Sequence, residues 1–299
     1  MIGPMDETFD LEAYLRRIGV DGHPVPDVSW LGVLQRAHIQ AIPFENLDVQ
    51  MGRRISLEST DLQAKMVRQR RGGYCFEHNT LFVHALRAIG FDCHTCEARV
   101  RQFAAGTLRP RTHMVLKVVC AGRSWLADVG FGGAGIVDPI AIDGSAAEQL
   151  GRQFRIINQD RTWVLQMARQ EQWDDVYAIL PLPVFPIDFV VANWFTSTHP
   201  DSPFVKTLIA QRWTSEARYR LRNLVFATER GEQEEKRDVT RAELVPLLRD
   251  TFLIDVPDDA TFLAIDGTDR RVRRPGLQQD LECADPPGLQ QGQASIKTS

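Results

Sequence analysis

The sequence predicts an α+β protein laid out in three successive stretches, and three observations carry that expectation. Apolar residues recur at helical spacing up to about Gly90, strand-like runs dominate from Phe91 to about Val190, and helix and strand signals mix thereafter. The expected parts are residues 1–90, helical; 91–190, β; 191–278, α/β; and 279–299, a polar tail rich in Gly, Pro and Gln for which flexibility is the default. A chain of 299 residues exceeds a typical single domain, and 43% apolar with 25% charged residues is ordinary for a soluble globular protein.

Each element has a local signal. Asp10 to Ile18 reads as a helix closed by Gly19, Ser29 to Gln40 as a second stopped by Pro43, and Asp61 to Arg70 as a third. A fourth follows Gly72 and Gly73, where Phe82, Ala85, Leu86 and Ile89 fall at helical spacing and Gly90 marks the stop. In the β part, strands near 113–119 and 124–129 flank a turn at Ala121 and Gly122, and Phe154 to Ile157 and Trp163 to Met167 read as later strands. The apolar run from Ala178 to Phe195 holds Asp188, Pro181, Pro183 and Pro186; it is no membrane span and reads as an extended buried connection. In the last part Ser202 and Pro203 start a helix, Arg218 to Phe226 reads as a strand, and Thr240 with Glu243 forms a capping box for a helix reaching Arg249.

The segment RGGYCFEHN, Arg71 to Asn79, sets Cys75 behind two glycines in the first turn of the fourth helix. Unpaired N–H groups at a helix N-terminus favour a thiolate, as does a nearby imidazolium. The glycines permit a tight turn or a close backbone approach that a Cβ would block. An arbitrary cysteine in a core helix is more often packing than nucleophile. The segment Thr112 to Gly133, THMVLKVVCAGRSWLADVGFGG, shifts those odds. With a two-residue turn Cys120 opposes Arg123, His113 opposes Gly130, and Asp128 is the diagonal neighbour of His113; a shift of two residues sets His113 opposite Asp128. Either register leaves imidazole and carboxylate roughly 5–8 Å apart at Cβ. Asp128 then orients His113, whose other nitrogen faces a partner, and the constellation is Cys75 as nucleophile, His113 as proton carrier and Asp128 as orienting carboxylate. Taken singly, His113 is better read as a surface histidine at a strand start and Asp128 as a turn carboxylate near a Gly-rich loop.

Other groups are weaker. Cys93 and Cys96 form a C-x-x-C, but no second one follows and strand residues three apart face opposite ways, so no metal site is expected. His78 and His84 lie on the Cys75 helix in supporting roles, and Asn79 is an alternative orienting group to Asp128. Arg99, Arg101, Arg109 and Arg111 share the odd parity of His113 and suit phosphates, with a solvated face as the plainer reading. A net charge of −4 gives no reason to expect nucleic acid, and any affinity for a polyanionic cofactor must come from local arginines. Five cysteines without a spacing framework and an N-terminus, MIGPMDETFD, lacking a signal pattern point to a reducing, cytoplasmic setting.

The chain resembles the arylamine N-acetyltransferases. RGGYCFE around Cys75, THMVLKV around His113, WLADVGFGG around Asp128, IPFENLD from Ile42 to Asp48 and FTSTHPDSPF from Phe195 to Phe204 match that family's blocks in order. The resemblance implies a helical bundle carrying Cys75, a β-barrel-like domain carrying His113 and Asp128, an α/β lid, and a cysteine-protease-like Cys-His-Asp core where the first two parts meet. It implies ping-pong transfer from acetyl-CoA, the co-substrate, through an acetyl-Cys75 thioester to an aromatic amine or hydrazine, with no metal, nucleic acid or membrane involved. Phe131, Phe44 and Thr112 are the implied acceptor-binding residues, and Arg109, Arg111, Gly132 and Gly133 the implied cofactor-binding ones. A thiol hydrolase, an acyltransferase that closes an amide, and a non-catalytic binding module stand as rivals.

Overall fold

The computed structural model describes residues 8–102, 107–170, 172–182, 184–231 and 233–267; the tail expected over 279–299 lies outside them. Five helical segments come first: α1 (Leu11–Ile18), α2 (Val28–Ala41), a short α3 (Leu47–Gln50), α4 (Ser59–Leu62, running on as a π-turn over Gln63–Arg68) and α5 (Cys75–Ile89), with a two-residue strand β1 (Phe44–Glu45) between α2 and α3. Asp10 caps α1 by accepting from Ala13 N at 2.9 Å, Asp27 caps α2 through Trp30 N at 2.8 Å, and Gly19 and Gly90 close α1 and α5 in the left-handed conformation.

Eight strands follow: β2 (Asp92–Val100), β3 (His113–Cys120), β4 (Arg123–Ala127), β5 (Ile140–Ala141), β6 (Ala147–Gln149), β7 (Arg152–Gln159), β8 (Thr162–Arg169) and β9 (Gln172–Leu180). They form one sheet in the order β5-β4-β3-β2-β9-β8-β7-β6, which curls until β5 lies against β7, a nearly closed barrel. Ala121 and Gly122 both take positive φ, so the β3–β4 hairpin has the two-residue loop that pairs Cys120 with Arg123. Strand β3 is buried on both sides: Met114, Leu116 and Val118 pack against α5, while Val115 joins Leu126, Phe154, Leu165 and Ile179 inside the barrel. The same alternation separates Cys93, which joins the helical core, from Cys96, which joins the barrel core.

The remainder comprises α6 (Pro186–Thr198), α7 (Pro203–Lys206), β10 (Ile209–Trp213), β11 (Arg218–Arg222), β12 (Val225–Arg230), β13 (Gln233–Asp238), α8 (Arg241–Asp250) and α9 (Leu263–Asp266). The second sheet runs β1-β10-β11-β12-β13, so IPFENLD contributes its edge strand, with Phe44 opposite Gln211. Asn46 from the same block donates to the carbonyls of Phe204 and Thr207 at 2.7 and 2.8 Å and accepts from Ile209 N at 2.7 Å, which fastens the FTSTHPDSPF turn to it.

Two expectations are corrected. The run from Ala178 to Phe195 is not an extended connection: its prolines precede a helix, Pro186 occupies the first helical position, and Asp188 accepts from Phe185 N at 2.9 Å. That helix buries Phe189, Asn193 and Thr196 and exposes Ile187, Val191 and Trp194. Arg218 to Phe226 is two strands, because Asn223 turns the chain at φ +52° and accepts from Leu208 N at 2.9 Å.

Candidate active site

Cys75 is the first residue of α5 and is 4% exposed. Gly72 and Gly73 serve close approach and not a left-handed turn: a Cβ on Gly72 would overlap the Pro43 carbonyl, and one on Gly73 would stand 2.8 Å from the Glu77 side chain. Glu77 in turn accepts from Tyr74 N at 3.0 Å, which satisfies one donor at the helix start. The first-turn N–H groups, lacking intrahelical acceptors, leave a positive field at the thiol.

His113 opens β3, at the mouth of the barrel and beside that helix end. Its Nε2 lies 2.7 Å from Asp128 Oδ2, which leaves Nδ1 for a second partner, and the Cys75 side chain is close enough to add to the pull on the ring's proton. The thiol is also 3.5 Å from the Thr112 carbonyl. Burial alone would lower the imidazole's pKa, but the Asp128 carboxylate and the neighbouring Cys75 outweigh it and raise the ring to about 10. Burial likewise works to raise Asp128, yet His113, Asn79 and the Gly130 N–H hold it below the usual carboxylate range. The arrangement favours an imidazolium paired with an ionised carboxylate, beside a thiol at a helix N-terminus.

Asp128 sits one residue past β4 and is held by more than His113. Its Oδ1 accepts from Asn79 Nδ2 at 3.0 Å and Gly130 N at 2.9 Å, and its Oδ2 accepts from the Tyr177 hydroxyl at 3.0 Å. Asn79 also donates to the Met114 carbonyl at 2.7 Å and accepts from Val129 N at 3.2 Å, so one α5 side chain ties together both strands of the hairpin. Gly130 has no room for a side chain: a Cβ would stand 2.7 Å from Asn79 Nδ2 and 2.8 Å from the Cys75 backbone. The sequence reading gave Asn79 only as an alternative to Asp128 and missed Tyr177 and Gly130. The four-residue step from Cys75 to Asn79, one helical turn, was a legible signal for Asn79; nothing in sequence pointed to Tyr177 on β9.

Beneath the cysteine lies a buried ionic cluster. Arg71 donates to Glu45 at 2.9 Å and Asp48 at 3.2 Å, and Lys65 reaches Asp48 at 2.6 Å and Glu77 at 2.7 Å. Burial pushes Glu77 up to about 7 despite Lys65, while the surrounding carboxylates overcome burial and hold Lys65 firmly charged. A second buried chain passes beside it. Pro43 O can only accept, so His78 donates through Nε2 (3.2 Å), accepts at Nδ1 from His38 Nε2 (2.9 Å), and His38 Nδ1 accepts from the Tyr14 hydroxyl (2.8 Å).

The implied binding residues fall in different places. Phe131 packs edge-on to His113 at 5.3 Å between centroids, and with Phe44, Ile39, Ile42, Gln211 and Trp213 it lines a narrow pocket that reaches Asp128. Thr112 meets Cys75 through its carbonyl. Arg111 pairs with Glu97 at 2.9 Å, and the Arg109 carbonyl accepts from Arg99. Gly132 packs on the Phe44 ring, and the Gly133 carbonyl accepts from Gln211 at 3.4 Å. A larger cavity of about 220 Å³ shares Gly135 and Trp213 with the pocket and is rimmed by Arg152, Arg218 and Glu229. Among the described residues no cluster of metal-ligating side chains occurs.

A family profile described as N-acetyltransferase matches residues 27–261. An arylamine N-acetyltransferase of Mycolicibacterium smegmatis is 37% identical over 256 residues, covering 83% of this chain and 93% of its own length. The chain belongs to the arylamine N-acetyltransferases. The solved arylamine N-acetyltransferase of Salmonella typhimurium superposes with a TM-score of 0.79 at 35% identity, covering 83% of this chain and 92% of that one. The Mycobacterium marinum family member solved in complex with CoA superposes with a TM-score of 0.78 at 34% identity, covering 82% and 93%. Membership makes this chain an acyltransferase, and the barrel-like sheet with its helical partner is the family fold.

Proposed function

We propose that this protein acetylates aromatic amines and hydrazines from acetyl-CoA in two half-reactions through an acetyl-Cys75 thioester. The observation that carries the reading is the continuous contact Cys75, His113, Asp128 at a helix N-terminus beside an aromatic-lined pocket. In the first half-reaction the Cys75 thiolate attacks the thioester carbonyl, a new S–C bond forms, the C–S bond to CoA breaks, and His113 gives its proton to the departing CoA thiolate. In the second the amine nitrogen attacks acetyl-Cys75 while neutral His113 takes its proton; collapse releases the amide and restores the thiolate and imidazolium. Asp128 stays ionised throughout and stabilises the charged ring.

Phe131 and Phe44 form the wall for the acceptor ring, and Thr112 borders the thiol. Gly132 and Gly133, whose lack of a Cβ lets the loop after Asp128 close on the Phe44 and Phe131 rings, are the loop residues on the donor side, and Arg109 and Arg111, with Arg152 and Arg218 at the larger cavity, are the cations for its phosphates. The second sheet with α8 acts as the lid over the junction of helical and barrel parts, within a cytoplasmic enzyme of three parts.

Intact mass after brief exposure to acetyl-CoA tests this reading. A single acetyl group that requires Cys75, persists in buffer and leaves as acetylated amine supports it; no adduct, or one lost to water equally fast without amine, overturns it in favour of a hydrolase or binding module.

A further inference from the structure

Helix α6 turns one face to the core and leaves the other uncovered among the described residues. Phe189, Asn193 and Thr196 are its buried side. Phe189 packs on Phe76 of α5 at 6.1 Å between ring centroids, while the Asn193 side chain accepts from the Tyr74 hydroxyl and donates to the Ile55 carbonyl at 3.2 Å, so α6 is fastened behind the start of the Cys75 helix. On the opposite side Ile187, Val190, Val191 and Trp194 fall at i, i+3, i+4 and i+7, a single stripe about 100° wide. These four are 67%, 46%, 68% and 64% exposed, and Phe185 at the N-cap is a further exposed ring, at 64%. No charge interrupts the stripe: the one charged residue of the helix, Asp188, lies to its side and caps the helix by accepting from Phe185 N.

Apolar residues scattered singly over a surface need no partner, but a contiguous stripe asks for one. Taking roughly 150–250 Å² for each of these side chains when fully exposed, the five present about 600 Å² of apolar surface, the upper end for the largest patch of an ordinary monomer. We propose that this face is the interface of a homodimer in which α6 packs antiparallel on α6 of a second copy. Two such faces supply about 1,200 Å², the lower end for a specific interface. The stripe also complements itself. A twofold axis between Val190 and Val191 sets Val190 against the partner's Val191 and Ile187 against the partner's Trp194, with the smaller side chains at the centre, where crossing helices come closest, and the larger at the ends. Antiparallel helix dipoles favour the same arrangement. A lipid surface is the poorer occupant, because Pro186–Thr198 holds no lysine or arginine, whereas helices that lie on membranes carry a basic polar face. The pairing stands apart from the transferase reading and does not depend on it.

Sedimentation velocity of the full chain over a concentration series tests the proposal. Wild type is expected to reach twice the chain mass, with a midpoint on the order of 10 μM. Val191→Glu sets two like charges near the twofold axis and is expected to raise that midpoint at least about 100-fold, and Val191→Lys should do the same. An equimolar mixture of the two variants should dimerise close to the wild-type midpoint, because opposite charges then meet. Thermal melts show that the variants are folded; if either is not, Trp194→Gln, expected to weaken the dimer at least about tenfold, makes the comparison with wild type. A wild type that stays monomeric throughout overturns the proposal, and its flotation with phosphatidylcholine vesicles in that case assigns the face to lipid. A dimer that keeps its midpoint in Val191→Glu overturns it too, by placing the contact elsewhere, as does a mixture no more dimeric than its components.

Discussion

Asp128→Asn removes the charge that holds the proton on His113 and leaves the volume nearly unchanged. In the wild type the ring is raised to about 10 against the pull of burial. With a neutral amide opposite, burial remains and the attraction is lost, so the ring should fall below its ordinary value of about 6.5. That is a drop of more than three units, about 4–5 kcal/mol of preference for the imidazolium. The assay is alkylation of Cys75 by iodoacetamide across pH 5.5–8, which reads the thiolate directly. At pH 6 the wild type should react at least 100-fold faster than Asp128→Asn, and kcat/KM for acetyl transfer should fall by about 10³ or more. His113→Gln should reproduce the loss, and the double variant should be little worse than either single, because the two groups act as a unit. A variant that keeps the wild-type alkylation rate and pH profile would refute the ion-pair argument.

Gly130→Ala should cost at least 100-fold in kcat together with a clear loss of stability, since its Cβ must displace buried Asn79 or the Cys75 backbone; steady-state kinetics beside a thermal melt decide this. Lys65→Met leaves Asp48 and Glu77 without their shared cation and should lower the unfolding free energy by about 3–5 kcal/mol in urea titrations. Tyr177→Phe removes one donor from buried Asp128 and should cost about 1–3 kcal/mol while acetyl-Cys75 still forms in the mass assay. Stability should peak near pH 6.5 and decline on both sides, with His113→Gln flattening the alkaline side between pH 6.5 and 9; urea midpoints at pH 5, 6.5 and 9 measure it.

The helical part and the hairpin were legible because their signals are local: Asp10 caps where the first helix was due to start, and the Ala121-Gly122 turn fixes the register by itself. Periodicity misread two places. Asn223 looks like any polar residue within a strand until Leu208, fifteen positions earlier, supplies the N–H that pays for its turn, and the prolines before α6 look like breakers of an extended run when they are the start of a helix. At the site, Cys75, His113 and Asp128 lie in blocks that advertise themselves, whereas Tyr177 is one aromatic among the alternating residues of β9 and reaches Asp128 through a strand order that local sequence does not reveal.

The histidines explain why the stability optimum falls where it does. His38 and His78 are held neutral by burial, His78 at about 4 and His38 well below its ordinary value, each already committed as donor and acceptor in the chain from Tyr14 to Pro43. The unfolded chain binds protons at both as pH falls below about 6.5, so their contribution is full above that value and is lost on acidification, at about 1.4 kcal/mol per unit for each proton. Glu77, raised to about 7, opposes them by one proton between about 4.5 and 7, which leaves a net loss toward acid. His113 has the opposite sign: raised to about 10 in the folded state, its contribution is full below 6.5 and disappears as pH rises toward 10. The same type of side chain thus serves at His78 on α5 as a neutral strut under Pro43, whose carbonyl seats Gly72, and at His113 on β3 as a charged partner for Asp128. What separates the roles is the acceptor at the far nitrogen, a backbone carbonyl in one case and a carboxylate in the other.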